Sequence, residues 1–240
     1  MSIRANKFPI PELIVPRHVL ASVFDKNGLD VLVNGMLEVN PEATFYSTGG
    51  TEKAIRIILE RAGMGNYISV EQFTGAPEME GGLVKTLHPK IHAGLLGERG
   101  NPEHERYLRE EMAKMGKGPG VYFDVLACNF YPFSEVIARE GVTPEQARTH
   151  IDIGGPAMVR AAAKNWHSVA VLSSPQHYEE FVQNMRENRE ITAEDRFKLM
   201  QDAFTMVGGY DAGIDNYFMG LNFERDVRPG LNWEGESNGK

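Results

Sequence analysis

Apolar positions along the chain follow two alternating rhythms. Val19-Leu20-Ala21-Ser22-Val23-Phe24 is a short apolar run suited to a buried strand, and Asp25-Lys26-Asn27-Gly28 then turns the chain. Leu29, Leu32, Val33, Met36 and Leu37 recur at i, i+3, i+4, i+7 and i+8, which predicts a helix with one inward stripe, ended by Asn40-Pro41. The unit repeats in kind. Residues 43–47 read as a strand, Thr48-Gly49-Gly50 as a tight turn, and Thr51 as the N-cap of a helix running to Ala62. Gly63 and Gly65 stop that helix, and residues 67–70 read as a third strand. Residues 71–100 carry many glycines and prolines and read as an ordered loop. Beyond it, residues 102–115 form a charged surface helix and residues 121–130 a central strand ended by Tyr131-Pro132. A helix opened by Thr143-Pro144 and another following Gly154-Gly155-Pro156 through Ala163 come next. Residues 169–172 read as a buried strand, and residues 175–188 and 192–219 as helices, with Gly208-Gly209 as the place for a bend.

Strand and helix alternate with short joins, so the expected class is α/β: a parallel sheet flanked by helices, with the ligand crevice at the carboxyl ends of the strands. One domain over residues 18–220 is expected, preceded by an extended proline-bearing arm (1–17) and followed by an aperiodic tail (221–240) anchored by Phe223 or Trp233.

Composition narrows the functions open to this fold. A chain of 240 residues with 42% hydrophobic residues can bury a sizeable core. Its formal net charge of −8 argues against a nucleic-acid partner but leaves room for a small anion in a local positive pocket. No run approaches the roughly 18 apolar residues of a membrane span, and proline interrupts the N-terminal apolar stretch, so no membrane association and no signal core are expected. The single cysteine, Cys128, leaves no partner for an intrachain disulfide and fits a reducing cytoplasm.

Several clusters carry chemistry. Thr48-Gly49-Gly50-Thr51 places bare amides and a helix dipole where a phosphate can sit, although a glycine turn without a ligand has the same sequence. It matches neither the dinucleotide fingerprint nor the triphosphate loop, which leaves a monophosphate. Ser22, Asp25 and Lys26 end the first strand on the same side, where Lys26 either adds charge to the anion or is simply solvated. Lys85-Thr86-Leu87-His88 offers a second lysine and a hydroxyl. Asp152 precedes a helix that ends at Lys164, and the pair reads either as a proton shuttle or as a capping aspartate and a lysine answering the helix dipole. Asn129 and Tyr131 could present an amide and a phenol to a ligand, while Phe130 and Tyr131 could equally fill the core. His88 and His92 stand four apart like two zinc ligands, but Pro89 lies between them and no third ligand is evident, so no metal is expected.

Taken together, Ser22-Val23-Phe24-Asp25-Lys26, Ser47-Thr48-Gly49-Gly50-Thr51, Val84-Lys85-Thr86-Leu87-His88-Pro89, Cys128-Asn129-Phe130-Tyr131-Pro132-Phe133, Ile151-Asp152-Ile153-Gly154-Gly155 and Arg160-Ala161-Ala162-Ala163-Lys164-Asn165 resemble the IMP cyclohydrolase domain of the bifunctional purine-biosynthesis protein. The resemblance runs from about His18 to Met219 and ends in Tyr210-Asp211 and Asp215-Asn216-Tyr217-Phe218. It implies a methylglyoxal-synthase-like fold, no cofactor, a homodimer, and closure of a formamido carboxamide ribotide to IMP with loss of water. It further implies a stand-alone hydrolase-class enzyme supplied by a separate formyltransferase. By the same resemblance, Lys164, Asp152, Lys85 and Tyr131 carry the chemistry. Lys26, Thr48, Gly49, Gly50 and Thr51 would hold the phosphate and ribose side, Lys85, Thr86, Asn129, Asp152, Ile153 and Gly154 would line the base, and Ser22, Asp25 and Cys128 would be further substrate-binding positions. Two positions depart from the family pattern: Leu83 stands where an arginine is usual, and Phe24 where a serine is frequent. Two other readings share the fold, a lyase similar to methylglyoxal synthase and a module that senses a purine monophosphate without turnover.

Overall fold

The computed structural model describes residues 7–77, 79 and 84–231. Leu83, which stands where an arginine is usual in the family pattern, and Trp233 lie outside them. The apolar runs become strands β1 (Leu13–Ile14), β2 (His18–Val23), β3 (Thr44–Ser47), β4 (Asn66–Ser69), β5 (Val125–Asn129), β6 (Ala170–Leu172) and β7 (Ile191–Thr192). Five of them form one parallel sheet in the order β4-β3-β2-β5-β6, and β1 pairs antiparallel with β7 apart from it. The chain therefore builds outward from β2 to β4, then returns to the other side of β2, which puts the switch in winding between β2 and β5.

Both faces of the sheet are covered, as continuous apolar runs in a parallel sheet require. Val19, Ala21, Val23, Phe45, Val125 and Ala127 face one core with helices α1 (Leu29–Val39), α2 (Gly49–Ala62) and α9 (Tyr178–Asn188). Their neighbours Leu20, Tyr46, Leu126, Cys128 and Val171 face the other. That second core is closed by α3 (Val70–Thr74), α4 (Pro89–Leu96), α8 (Gly154–Lys164) and α10 (Ala193–Met219). The α1 and α9 backbones approach closely at Gly35, where a Cβ would lie 2.4 Å from Val182 Cγ1.

Several local expectations shift. Thr51 does not cap α2; Thr48 holds that position with extended backbone, and Gly49 enters the helix at φ 57°, three residues early, because glycine tolerates the left-handed region. The third strand stops at Ser69, whose hydroxyl accepts from Gln72 N and opens α3. Residues 71–100 contain α4, with His88 at its N-cap and Pro89 in its first turn, a start signal hidden among glycines. The charged helix begins as α5 (Pro102–Arg106), widens into a π turn over Tyr107–Glu111 and tightens into a 3-10 turn over Met112–Lys114. A short α6 (Phe133–Ile137) precedes α7 (Pro144–Thr149), which Thr143 and Gln146 close with reciprocal capping bonds. Within the stretch expected to be an aperiodic tail, a π turn (Phe223–Val227) and α11 (Arg228–Leu231) form. Residues 208–209 do not interrupt α10. At the opposite end of the chain, buried Arg196 donates to the carbonyls of Pro11, Glu12, Trp166 and Ile191, tying the N-terminal segment to α10. No helix among the described residues is long and apolar enough to cross a membrane.

Candidate active site

A cleft of about 540 Å³ opens over the carboxyl ends of β2, β3 and β5. Its first wall is the start of α2. A Cβ on Gly49 would stand 3.4 Å from Lys85 Nζ, and one on Gly50 would stand 3.7 Å from Lys26 Nζ. Two ammonium groups from different loops thus meet at one helix N-terminus, where the backbone dipole adds to their field. Val84, beside Lys85, takes φ 63°, a conformation costly for a β-branched residue, so Lys85 is presented from a strained backbone.

The second wall is the start of α8. Asp152 Oδ1 accepts from Gly155 N at 2.9 Å, and the Asp152 amide donates to the Tyr210 hydroxyl at 2.8 Å. Burial raises the Asp152 pKa, against the pull of the Gly155, Tyr131 and Gly154 amides. Gly154 is required here: a Cβ would lie 2.6 Å from Thr86 Oγ1, which would push the Lys85-Thr86 loop off the helix start. Ser22, Thr48, Ile153 and Tyr131 complete the lining together with Val23, Phe24, Thr149 and His150. A second cavity of about 810 Å³ adjoins the cleft and shares Phe24, Lys26, Asn129 and Tyr131 with it.

Other expected site residues have different employment. Thr51 lines the cleft, but its buried hydroxyl both accepts from Val23 N and donates to Val23 O at 3.0 Å, fastening α2 to β2. Asn129 bridges the switch point: its Oδ1 accepts from Phe24 N and Asp25 N at 2.7 and 2.9 Å, and its Nδ2 donates to Asp25 O at 2.9 Å. The amide expected to read a ligand therefore shapes the loop that bears Lys26. Asp25 lines the adjoining cavity, not the cleft, and accepts from Asn27 N.

Two expected site residues do not line the cleft. Cys128 sits on the inward phase of β5, buried, with Sγ 3.9 Å from Gly155 O; burial, with Asp152 nearby, pushes its thiol pKa up, and it does not line the cleft. Lys164 is the last, exposed residue of α8, whose 11 residues extend roughly 16 Å. Asp152 and Lys164 thus occupy opposite ends of one helix, and only Asp152 reaches the cleft.

The histidine pair is likewise separated in use. His88 accepts from Lys90 N as the cap of α4, while His92 is hydrogen-bonded to the Thr86 backbone and lowered in pKa by burial. No group of three or more metal-ligating side chains occurs among the described residues. Tyr210, which holds the Asp152 amide, was visible in the sequence only through the resemblance of Tyr210-Asp211. Fifty-eight residues separate it from Asp152, so no spacing rule could pair them.

Comparison with known proteins adds a second line of support. The family described as the AICARFT/IMPCHase bienzyme matches residues 162–237. The bifunctional purine biosynthesis protein PurH of Rippkaea orientalis is 39% identical over 211 residues, covering 88% of this chain and 38% of that protein. The chain is similar over most of its length to part of these bienzymes. A second PurH, from Bacillus mycoides, is 42% identical over 201 residues, covering 84% of this chain and 37% of the relative. The chain thus spans less than half the length of the curated relatives it matches. Among solved structures, the crystal structure of ForH superposes with a TM-score of 0.64 at 28% identity, covering 84% of this chain and 98% of that one. The fold is the α/β, methylglyoxal-synthase-like arrangement implied by the resemblance.

Proposed function

We propose that this cleft is an IMP cyclohydrolase site, taking 5-formamidoimidazole-4-carboxamide ribotide to IMP and water in purine biosynthesis. The observation that carries the reading is the meeting of Lys26 and Lys85 at the glycine turn, within a cleft whose other wall bears the half-buried carboxylate of Asp152. Similarity to the purine-biosynthesis bienzymes supports it.

In this reading the substrate phosphate lies on the α2 N-terminus against Lys26, with the base toward Thr86, Ile153, Gly154 and Asp152. The carboxamide nitrogen attacks the formyl carbon, and Asp152 accepts its proton. Burial makes that carboxylate a stronger base than an ordinary aspartate. The formyl oxygen becomes an alkoxide, stabilised by Lys85 and the Tyr131 phenol. One C–N bond forms and one C–O bond breaks. The departing water carries the formyl oxygen, one proton from the carboxamide nitrogen and one from the formamido nitrogen. Lys164, at the far end of α8 and outside the cleft lining, is given no step within a single chain. A homodimer belongs to the same reading and is checked by sedimentation.

Purified protein mixed with the formamido ribotide and no added cofactor should give the ultraviolet spectrum of IMP. Absence of IMP would remove the catalytic reading, and binding of IMP without turnover would leave a sensing module in its place.

A further inference from the structure

The cleft holds one ring, that of Phe24, that anion binding and ring closure do not use. Phe24, one residue beyond β2, is 48% exposed, and Tyr131 is 53% exposed. Their rings lie 4.9 Å apart between centroids at 47°, and both line the cleft and the adjoining cavity. The contact leaves each ring with an open side.

The Phe24 backbone is held from both directions. Its amide donates to Asn129 Oδ1 at 2.7 Å, and its carbonyl accepts from Lys26 Nζ at 3.1 Å. Lys26 Nζ is also the ammonium that approaches Gly50 at the start of α2. A rigid mount thus carries a half-exposed phenyl ring directly beside an anion-binding group. A ring left open on such a mount loses nothing by accepting a flat partner and removes apolar surface from water when it does.

We propose that Phe24 is a specificity-determining residue: with Tyr131 it forms an aromatic face at the lip of the cleft, on which the planar heteroaromatic base of a bound nucleoside monophosphate stacks. This rests on the nucleotide reading of the site and deepens it, since Lys26 and the glycine turn select a phosphate while Phe24 selects what the phosphate is attached to. Aromatic stacking tolerates any flat base, so Phe24 separates nucleotides from sugar phosphates rather than one base from another.

Calorimetric titration of the whole chain with IMP and with ribose 5-phosphate, for the wild type, Phe24→Leu and Phe24→Tyr, tests this. Phe24→Leu should weaken IMP about tenfold while leaving ribose 5-phosphate within about twofold, and Phe24→Tyr should retain IMP affinity. Unchanged sugar-phosphate binding shows that the leucine variant is folded and that Lys26 is still in place. Equal weakening of both ligands would assign Phe24 a purely structural part through Lys26 and overturn the proposal. So would IMP affinity unaltered in Phe24→Leu, which would leave the nucleotide reading standing. A wild-type protein that binds neither ligand would overturn the nucleotide reading and this proposal with it.

Discussion

At its N-terminal end α8 meets the cleft through Gly154, packed against Thr86, with Asp152 accepting from Gly155 N and held in turn by Tyr210. At its C-terminal end the same helix presents exposed Lys164 and buried Asn165, whose Nδ2 donates to the carbonyls of Leu95 and Gly97 at 2.8 and 3.0 Å. One end positions a titratable group and leaves it reachable from solvent; the other ties α8 to α4 beneath the sheet. Two motif residues a few turns apart thus share a sequence neighbourhood while only one of them lines the cleft.

The strongest way to break this contrast is Asp152→Asn, which keeps the shape and removes the base. It should lower kcat by about 10²- to 10⁴-fold with little change in KM, measured by IMP formation. Equal losses from Lys164→Ala would erase the distinction between the two ends.

The pH dependence sharpens it. Asp152 must be ionised to accept a proton, and burial raises its pKa, so kcat should fall on acidification through a value above that of an ordinary aspartate. That acid limb should disappear in Asp152→Asn and persist in Lys164→Ala. An acid limb at the ordinary aspartate pKa of about 3.9 would place the base elsewhere.

Smaller effects separate structure from chemistry. Asn165→Ala strips partners from two carbonyls and should destabilise the fold by about 1–3 kcal/mol in denaturant titration, with kcat unchanged where the protein is folded. Tyr210→Phe deprives the Asp152 amide of its acceptor and should move the acid limb while costing at most about 1–3 kcal/mol of stability. The smallest change belongs to Lys164→Ala, an exposed position with no surface network, expected to stay within about 0.5 kcal/mol of the wild type in stability.

Much of this was legible in the chain itself. The period of Leu29 to Leu37 and the apolar runs at β2 and β5 define helix and strand because burial of one stripe or both faces demands those periods. The glycine turn and both lysines were readable as anion chemistry because residue type decides what a group can bind. Helix starts were less secure, as Thr51 illustrates. Its hydroxyl suits an N-cap, yet Gly49 can adopt a left-handed backbone that lets α2 begin earlier, and Thr51 then serves the β2 junction.

Local sequence thus determined the α/β class, the strand-to-helix turns and the presence of basic and acidic groups near them, since these depend on periodicity and residue chemistry over a few turns. Only the tertiary structure decided which groups meet. The winding switch between β2 and β5 turned Asn129 into a loop brace, the pleat turned Cys128 inward, the length of α8 carried Lys164 away, and the return of α10 brought Tyr210 to Asp152. Those outcomes follow from sheet order, side-chain alternation and helix rise across the whole fold, quantities that no single motif contains.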